Sequence, residues 1–193
     1  MSQSTLVTEL KTHQAVLEKT VEQTAEVIEQ ITEAIIHCFR QGNKLLICGN
    51  GGSAADAQHV AGEFVNRFRY DHAALPAIAL TTDTSILTSI GNDSAFENIF
   101  SRQVEALAKP GDILVGISTS GGSPNILKAL DAARELGLTT IAFTGEKGRE
   151  KMGPKCDLCF VVSSVDTPRI QECHTFVWHV ICGIIERMIF PQS

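Results

Sequence analysis

The chain has 193 residues, a formal net charge of −6 at pH 7, 44% hydrophobic residues and 20% charged residues. This is the composition of an ordinary globular domain, so a wholly disordered chain and a collagen-like chain are excluded. The acidic balance argues against direct nucleic-acid binding, which needs a basic face for phosphate contacts.

A long N-terminal helix is the first predicted element. Apolar residues recur at spacings of three and four over residues 5–41, and Gly42 supplies a stop signal. The pattern leaves room for a kink within residues 18–23. A helix this long exceeds what one sheet face needs, so we expect part of it to pack on another subunit. We therefore divide the chain into a helical segment that serves oligomerisation, 1–42, and one ligand-binding domain, 43–193.

The rest of the chain alternates between short apolar runs and amphipathic stretches. Continuous apolar strands that alternate with helices indicate a parallel sheet covered on both faces, and hence an α/β fold. Ligands of such sheets bind beyond the carboxyl ends of the strands. Strands are predicted at 44–49, 76–81, 112–118, 139–144 and 158–163, and helices at 54–68, 85–90, 96–107, 124–136 and 169–189.

The turn after the first strand contains Gly51, Gly52 and Ser53, directly before a helix. Glycine lets backbone N–H groups approach an anion, and the helix N-terminus adds partial positive charge. The spacing is neither that of a Walker A loop nor that of a GxGxxG fingerprint, so we expect no nucleotide cofactor. The turn is a candidate substrate site, and the alternative is a tight turn that needs glycine only for its shape.

A second polar loop follows the third strand. Ser123 and Pro124 fit the N-cap and the first position of the next helix, which leaves the hydroxyls of Ser118, Thr119 and Ser120 without a capping role. Several hydroxyls and free amides at a helix N-terminus suit a phosphate without a cation. The loop therefore predicts a site for a small phosphorylated metabolite, and the alternative is a solvated Ser/Gly loop.

Titratable side chains lie in two of the predicted helices. His59 and Glu63 are four residues apart and share a helix face, as an ion pair, half of a metal site or a catalytic pair. In the terminal helix, His179 lies in an apolar sequence more typical of a core histidine, and His174 competes with it for any role. Gln171 is eight residues before His179 and can face the same cleft.

Two smaller clusters carry weaker signals. Asn92 and Asp93 lie between two predicted helices, as hydroxyl-binding groups or as an ordinary turn. Cys156 and Cys159 form a single CxxC motif that enters a strand and has no second half. We therefore expect neither a zinc site nor a thioredoxin-like redox pair at these cysteines.

The sequence also predicts the compartment. The N-terminus has no apolar signal region, and the longest apolar stretch, 176–185, is too short to span a bilayer. We therefore expect a cytoplasmic protein with reduced cysteines and no membrane partner.

Four separated motifs, in this order, resemble those of one known family. They are CGNGGSAADAQH, the GND at 91–93, GISTSGGSPNIL, and RIQECH with the later histidine. Together they resemble the sugar isomerase (SIS) domain, and within it the bacterial phosphoheptose isomerases, over essentially the whole chain. The resemblance implies a five-stranded parallel sheet in a flavodoxin-like three-layer sandwich. It also implies a homotetramer with active sites at subunit interfaces.

The resemblance further implies a reaction and a set of residue roles. The reaction converts sedoheptulose 7-phosphate to D-glycero-D-manno-heptose 7-phosphate, the first step towards ADP-heptose and the lipopolysaccharide core. Glu63 matches the catalytic base and His179 the second catalytic group. Substrate-binding positions are matched by Gly51, Gly52, Ser53, Glu63, Asn92, Asp93, Gln171 and the phosphate-binding Ser118, Thr119, Ser120 and Ser123. In zinc-bearing relatives, the metal ligands match His59, Glu63, Gln171 and His179, which implies one zinc ion per subunit.

Two other functions compete with the isomerase. One is a non-catalytic SIS protein that binds the bacterial replication initiator, and the other is a sugar-phosphate sensor. The presence of both Glu63 and His179 favours the enzyme. Pro168 stands where some of these isomerases have Asp, which removes one hydroxyl contact but not the base.

The implied chemistry makes a demand on Glu63. Aldose–ketose isomerisation through an enediolate needs a base that moves a proton between two carbons. An ordinary glutamate is a weak base, so we expect burial against Phe64 or a subunit interface to raise the pKa of Glu63.

Overall fold

The computed structural model describes residues 3–192. The first element, α1, is one continuous helix from Gln3 to Arg40, with no break at residues 18–23. Among the described residues, no helix has the length and hydropathy needed to cross a bilayer. The predicted segments 1–42 and 43–193 include Met1, Ser2 and Ser193, which lie outside the described residues.

A five-stranded sheet forms the centre of the fold, in the order β2-β1-β3-β4-β5. Every neighbouring pair is parallel, which confirms the predicted fold class. The register pairs Gly49 with Ile117, so the turns after β1 and β3 lie side by side at the carboxyl edge. The strands are β1 Leu45–Gly49, β2 Ala77–Ala79, β3 Ile113–Ser118, β4 Thr139–Gly145 and β5 Leu158–Val162.

Helices cover both faces of this sheet. They are α2 Gly52–Val65, α3 Thr84–Asp93, α4 Ser101–Leu107, α5 Pro124–Glu135, α6 Arg149–Met152 and α7 Thr167–Ile189. Short 3₁₀ turns lie at Phe96–Asn98, Glu146–Gly148 and Gly153–Lys155.

The two faces carry separate apolar cores. On one face, α1, α2 and α7 pack on the sheet, and Trp178 stacks on Phe143 with ring centroids 4.6 Å apart. On the other face, α4 and α5 pack around buried residues such as Leu114, Ile126 and Leu130. Because helices cover both faces of the central strands, all residues of β1 and β3 are buried, and nearly all of them are apolar.

Three predicted boundaries were wrong. The helix predicted at 54–68 ends at Val65, because the N–H groups of Phe68 to Tyr70 bond to a distant carboxylate instead of to helix carbonyls. The helix predicted at 96–107 is a 3₁₀ turn followed by α4, since Ile99 and Phe100 turn into the core between them. The helix predicted at 85–90 runs on to Asp93 and includes Asn92.

Candidate active site

The glycine turn after β1 opens α2 in the way the sequence indicated. Gly51 has a φ of 56°, which an L side chain rarely adopts, and it leads directly into the helix. At Gly52 a Cβ would lie 1.9 Å from the side-chain nitrogen of Gln171. Gly52 therefore makes room for the Gln171 amide above the first turn of α2, whereas Ser53 is buried in that turn.

The serine loop after β3 is held in a defined shape. Ser118 and Ser123 lie with their hydroxyl oxygens 3.1 Å apart, and Ser123 precedes Pro124 at the start of α5 as predicted. The Ser123 hydroxyl makes no cap bond to the helix and faces Ser118 instead. Gly121 has a φ of 65°, and a Cβ there would lie 2.3 Å from the Cα of Gly148. The segment after β4 thus supports the loop from behind.

Two asparagines join the glycine turn to the serine loop, and sequence reasoning missed both. The amides of Asn50 and Asn125 exchange two hydrogen bonds of 2.9 Å each, and Asn125 is almost fully buried. They line a cleft of about 400 Å³ together with Ser123 and the exposed ring of Phe96. The signal in the sequence was their position, because each asparagine directly adjoins a loop that follows a strand.

A cation also lies beside the serine loop, where the sequence predicted a phosphate site without one. A Cβ on Gly122 would meet the ammonium nitrogen of Lys151 at 3.2 Å and the hydroxyl of Ser120 at 3.9 Å. Lys151 lies on the short helix α6, 29 residues after Gly122 in the chain. The helix α5 and the strand β4 separate the two residues in the chain, so no local pattern could have revealed this contact.

The titratable residues of α2 and α7 form one cluster. His59 and His179 lie with their Nε2 atoms 2.8 Å apart, and His59 Nε2 is 3.4 Å from a carboxylate oxygen of Glu63. One ligand atom from each of the three residues lies within 4.8 Å of the others, so the group can hold a metal ion. The predicted common helix face of His59 and Glu63 is therefore present, and His179 joins it from the neighbouring helix.

His179, and not His174, faces this cluster. His174 is fully buried between Phe143 and Phe160, with its Nε2 3.4 Å from the carbonyl of Thr144. Burial lowers the pKa of His174 to about 4. His174 is thus a neutral core residue.

The expected cover for Glu63 is not provided by Phe64. Phe64 packs edge-on against Phe39 in the core, with ring centroids 5.2 Å apart. Consecutive residues of a helix point about 100° apart, so Phe64 and Glu63 face different directions. The Glu63 side chain is 20% exposed within the single chain.

Gln171 lies beside a second carboxylate, Asp56, that sequence reasoning missed. The Asp56 side chain accepts a hydrogen bond of 3.3 Å from Thr175, and its second oxygen is buried without a hydrogen-bond partner. Burial raises the pKa of Asp56, although its contacts with Gln171 and Thr175 oppose the shift. Asp56 is one helical turn before His59, so a pattern search for i, i+3 polar pairs would have found it.

Asn92 and Asp93 occupy the last turn of α3 and are solvent-exposed. The Asn92 amide donates a hydrogen bond of 2.7 Å to the Asp93 carboxylate. The residues that follow them, Ala95 to Glu97, line the cleft that contains Asn50 and Ser123.

The comparisons with known proteins agree with this architecture. The sequence model of the SIS domain matches residues 10–145. The chain belongs to the SIS domain family. Among its relatives in that family is the phosphoheptose isomerase of Trichlorobacter lovleyi, which is 53% identical over 188 residues, 97% of this chain and 95% of that protein. This SIS chain therefore lies within the phosphoheptose isomerases, which confirms the resemblance.

Solved structures of phosphoheptose isomerases have the same fold as this chain. A phosphoheptose isomerase from Francisella tularensis has a TM-score of 0.91 and 35% identity, with 97% of this chain and 99% of that chain covered. A phosphoheptose isomerase from Neisseria gonorrhoeae has a TM-score of 0.89 and 40% identity, with 95% and 98% covered. Both matches cover nearly all of this SIS protein and so include most of its long N-terminal helix.

Proposed function

We propose that this protein converts sedoheptulose 7-phosphate to D-glycero-D-manno-heptose 7-phosphate, the first step towards ADP-heptose and the lipopolysaccharide core. Its membership of the phosphoheptose isomerases supports this activity. The observation that carries the proposal is the cluster of His59, Glu63 and His179, which puts a carboxylate base and an imidazole within reach of one substrate. Because all six thiols are free, we infer that the enzyme acts in the cytoplasm.

The proton movements follow from the cluster. Glu63 removes a proton from C1 of the ketose, which leaves an enediolate, and returns it to C2. His179 donates a proton to O2 and accepts the proton of O1, so that C1 becomes the aldehyde and no atom is gained or lost. A neutral imidazole both donates and accepts, and His179 bonded to His59 at 2.8 Å is suited to that exchange.

The serine loop is the proposed phosphate site. Ser118, Thr119, Ser120 and Ser123 offer hydroxyls at the N-terminus of α5, and the dipole of that 12-residue helix favours an anion. The ammonium of Lys151 adds a full positive charge beside Gly122. Binding energy from the phosphate then positions the reacting carbons, as remote binding does in many enzymes.

Replacing Lys151 by Met should weaken substrate binding without slowing the chemical step. One lost charge-assisted hydrogen bond is worth about 1.5 kcal/mol, so KM should rise roughly tenfold while kcat stays near the wild-type value. Lys147→Met removes an exposed lysine of the same segment and serves as the matched control. Steady-state kinetics of both variants decide the point, and an unchanged KM for Lys151→Met would remove this lysine from the phosphate site.

A zinc ion is the proposed metal. Two imidazole nitrogens and a carboxylate oxygen are donors that zinc prefers, so His59, His179 and Glu63 fit it. Gln171, which the resemblance implies as the fourth ligand, lies against Gly52 at the start of α2, about 10 Å along that helix from His59, so it does not join the three donors within this subunit. Bound zinc would polarise the substrate carbonyl and stabilise the enediolate oxygens, at the expense of the basicity of Glu63.

The length of α2 between Gly52 and Glu63 supports an active site that is shared between two subunits. Glu63 is 11 residues after Gly52, so it lies about 16 Å along α2 from the edge that carries the serine loop. The phosphorus of a heptose 7-phosphate lies only about 8 Å from C2, at roughly 1.2 Å per bond of an extended chain. We therefore propose that each active site combines the serine loop of one subunit with Glu63 of another.

An apolar groove between α1 and α7 supports the proposed homotetramer. It has a volume of about 320 Å³, and its walls include the half-exposed side chains of Val21, Phe176 and Val180. An exposed apolar face of this kind is typical of a surface that another subunit covers. The groove also supports an oligomerisation role for the N-terminal segment 1–42, because Val21 lies in it.

Mixing two inactive variants tests the shared site. Glu63→Gln lacks the base, and Ser120→Asp places a negative charge where the phosphate binds. Refolding them together in equal amounts should restore about a quarter of the wild-type activity, because one site in four then combines two intact parts. Each variant refolded alone is the control. Absence of recovery in mixed oligomers would show that each subunit holds a complete site.

The activity itself is tested by incubation with sedoheptulose 7-phosphate in D₂O. We expect NMR to show aldose formation and deuterium at C2, in the wild-type protein with and without added zinc. A protein that gives neither product nor exchange in either condition, with the oligomer intact, is not an isomerase. Phosphate-dependent stabilisation without exchange would then indicate a sugar-phosphate sensor. Binding of the replication initiator would instead indicate the non-catalytic SIS protein.

A further inference from the structure

A buried carboxylate outside the proposed reaction, Glu186 near the end of α7, fastens the segment that follows α2. One of its oxygens accepts the backbone N–H groups of Phe68, Arg69 and Tyr70, at 3.0, 2.8 and 3.3 Å. Successive N–H groups that converge on one oxygen form an anion-binding nest. The side chain is only 2% exposed, and its second oxygen is buried without a hydrogen-bond partner.

Aromatic residues seal this carboxylate from solvent. The His72 side chain is 3% exposed, with its Nε2 3.3 Å from the same oxygen of Glu186. His72 also stacks on Phe190 with ring centroids 4.4 Å apart. Although burial opposes ionisation, the bonds from Arg69, Tyr70 and Phe68 lower the pKa of Glu186, so the buried group carries a charge.

The fastened segment places the ring of Phe68 against His179. The two rings are stacked, with centroids 5.7 Å apart and planes 30° apart. Gly183, one turn after His179 on α7, leaves room for Phe68, since a Cβ there would lie 3.2 Å from the ring. The guanidinium of Arg69 lies 5.3 Å from the centre of the Phe68 ring. Phe68 is thus held by its neighbours while it contacts the imidazole of the cluster.

We propose that Glu186 is a positioning residue of the enzyme, which fixes the imidazole of His179 through the backbone of residues 68–70 and the ring of Phe68. The proposal rests on the proposed function only for its effect on rate. A buried charge is costly to the fold, and this one contacts no residue of the cluster directly. Its three hydrogen bonds all come from the segment that carries Phe68, and His72 lies against the same oxygen, so its structural effect is to set where that ring lies.

Four variants of the full-length protein test the proposal through kcat. Glu186→Gln keeps the shape but loses the charge, and Phe68→Leu keeps an apolar side chain but loses the flat ring. We expect each to lower kcat about tenfold with KM within twofold of the wild type, because the phosphate site is remote. Gly183→Ala, which favours the helix but crowds Phe68, should lower kcat without lowering the unfolding temperature. Phe68→Tyr should restore the rate.

A double variant and an NMR signal separate positioning from a general structural effect. If Glu186 acts through Phe68, the variant with both Glu186→Gln and Phe68→Leu should be no slower than Phe68→Leu alone. The His179 imidazole C–H resonance, assigned with His179→Gln, should shift in both single variants as the aromatic ring leaves.

The NMR signal remains readable in a protein without turnover, so it distinguishes failure of this proposal from failure of the proposed function. An unshifted His179 resonance in Glu186→Gln overturns the positioning role. So does a double variant whose loss in kcat is the product of the two single losses.

Discussion

Glu63→Gln should abolish isomerisation while leaving the phosphate site intact. Removing a general base that acts on carbon lowers turnover by about 10²- to 10⁴-fold, and glutamine has the size of glutamate but cannot take the proton. The Glu63 side chain is partly exposed and lies 3.4 Å from His59, so the fold should tolerate the amide. The measurement is aldose formation and C2 deuteration by NMR, with inorganic phosphate affinity measured by calorimetry.

The matched control for this variant is Glu135→Gln, which removes an exposed carboxylate from α5. It should leave both turnover and phosphate affinity within twofold of the wild type. If Glu63→Gln instead retained a tenth or more of the wild-type turnover, the base would have to be another group. Asp56 would be the first to examine, since it lies beside Gln171 and about two turns before Glu63 on the same helix.

The sheet and the loops at its edge were predictable because their signals are local. The strands are short apolar runs, of which β1 and β3 are buried throughout, and each glycine or serine turn directly follows a strand. The pairing of His59 with Glu63 was equally local, since residues four apart share a helix face.

The features that sequence reasoning missed depend on distant residues. The end of α2 at Val65 is set by Glu186, 121 residues later in the chain, which competes with helix carbonyls for N–H groups. Lys151 lies beside the serine loop, and Gly148 of the same segment packs against Gly121. Neither interaction leaves a periodic pattern, because each joins two segments that are separate in the sequence.

The two histidines of α7 show why sequence alone left alternatives open. His174 and His179 are five residues apart, so they point about 140° apart around the helix. Both have apolar neighbours in the sequence, and periodicity could not say which one faces inward. The sheet decides, because Phe143 and Phe160 enclose His174 from β4 and β5.

Burial of His174 should make the protein lose stability in mild acid. The folded state holds this imidazole neutral, with a pKa of about 4, whereas an unfolded chain takes up the proton near 6.5. As pH falls from 6.5 towards 4, the unfolded state therefore binds more protons than the folded state, and the free energy of unfolding decreases. The difference between the two pKa values corresponds to a loss of roughly 3 kcal/mol by pH 4.

His174→Met removes the titrating group from this site while filling a similar volume, so urea unfolding at a series of pH values isolates its contribution. Carboxylates elsewhere titrate in both proteins, and only the difference between them reports on His174. The variant should be the less stable protein above pH 7, where the bond to the Thr144 carbonyl is lost, and should gain on the wild type by roughly 3 kcal/mol between pH 7 and 4. His37→Gln, at an exposed position of α1, should run parallel to the wild type. Parallel curves for His174→Met and the wild type would mean that this imidazole takes up its proton as readily in the folded core as in the unfolded chain. The enclosing rings of Phe143 and Phe160 oppose such protonation.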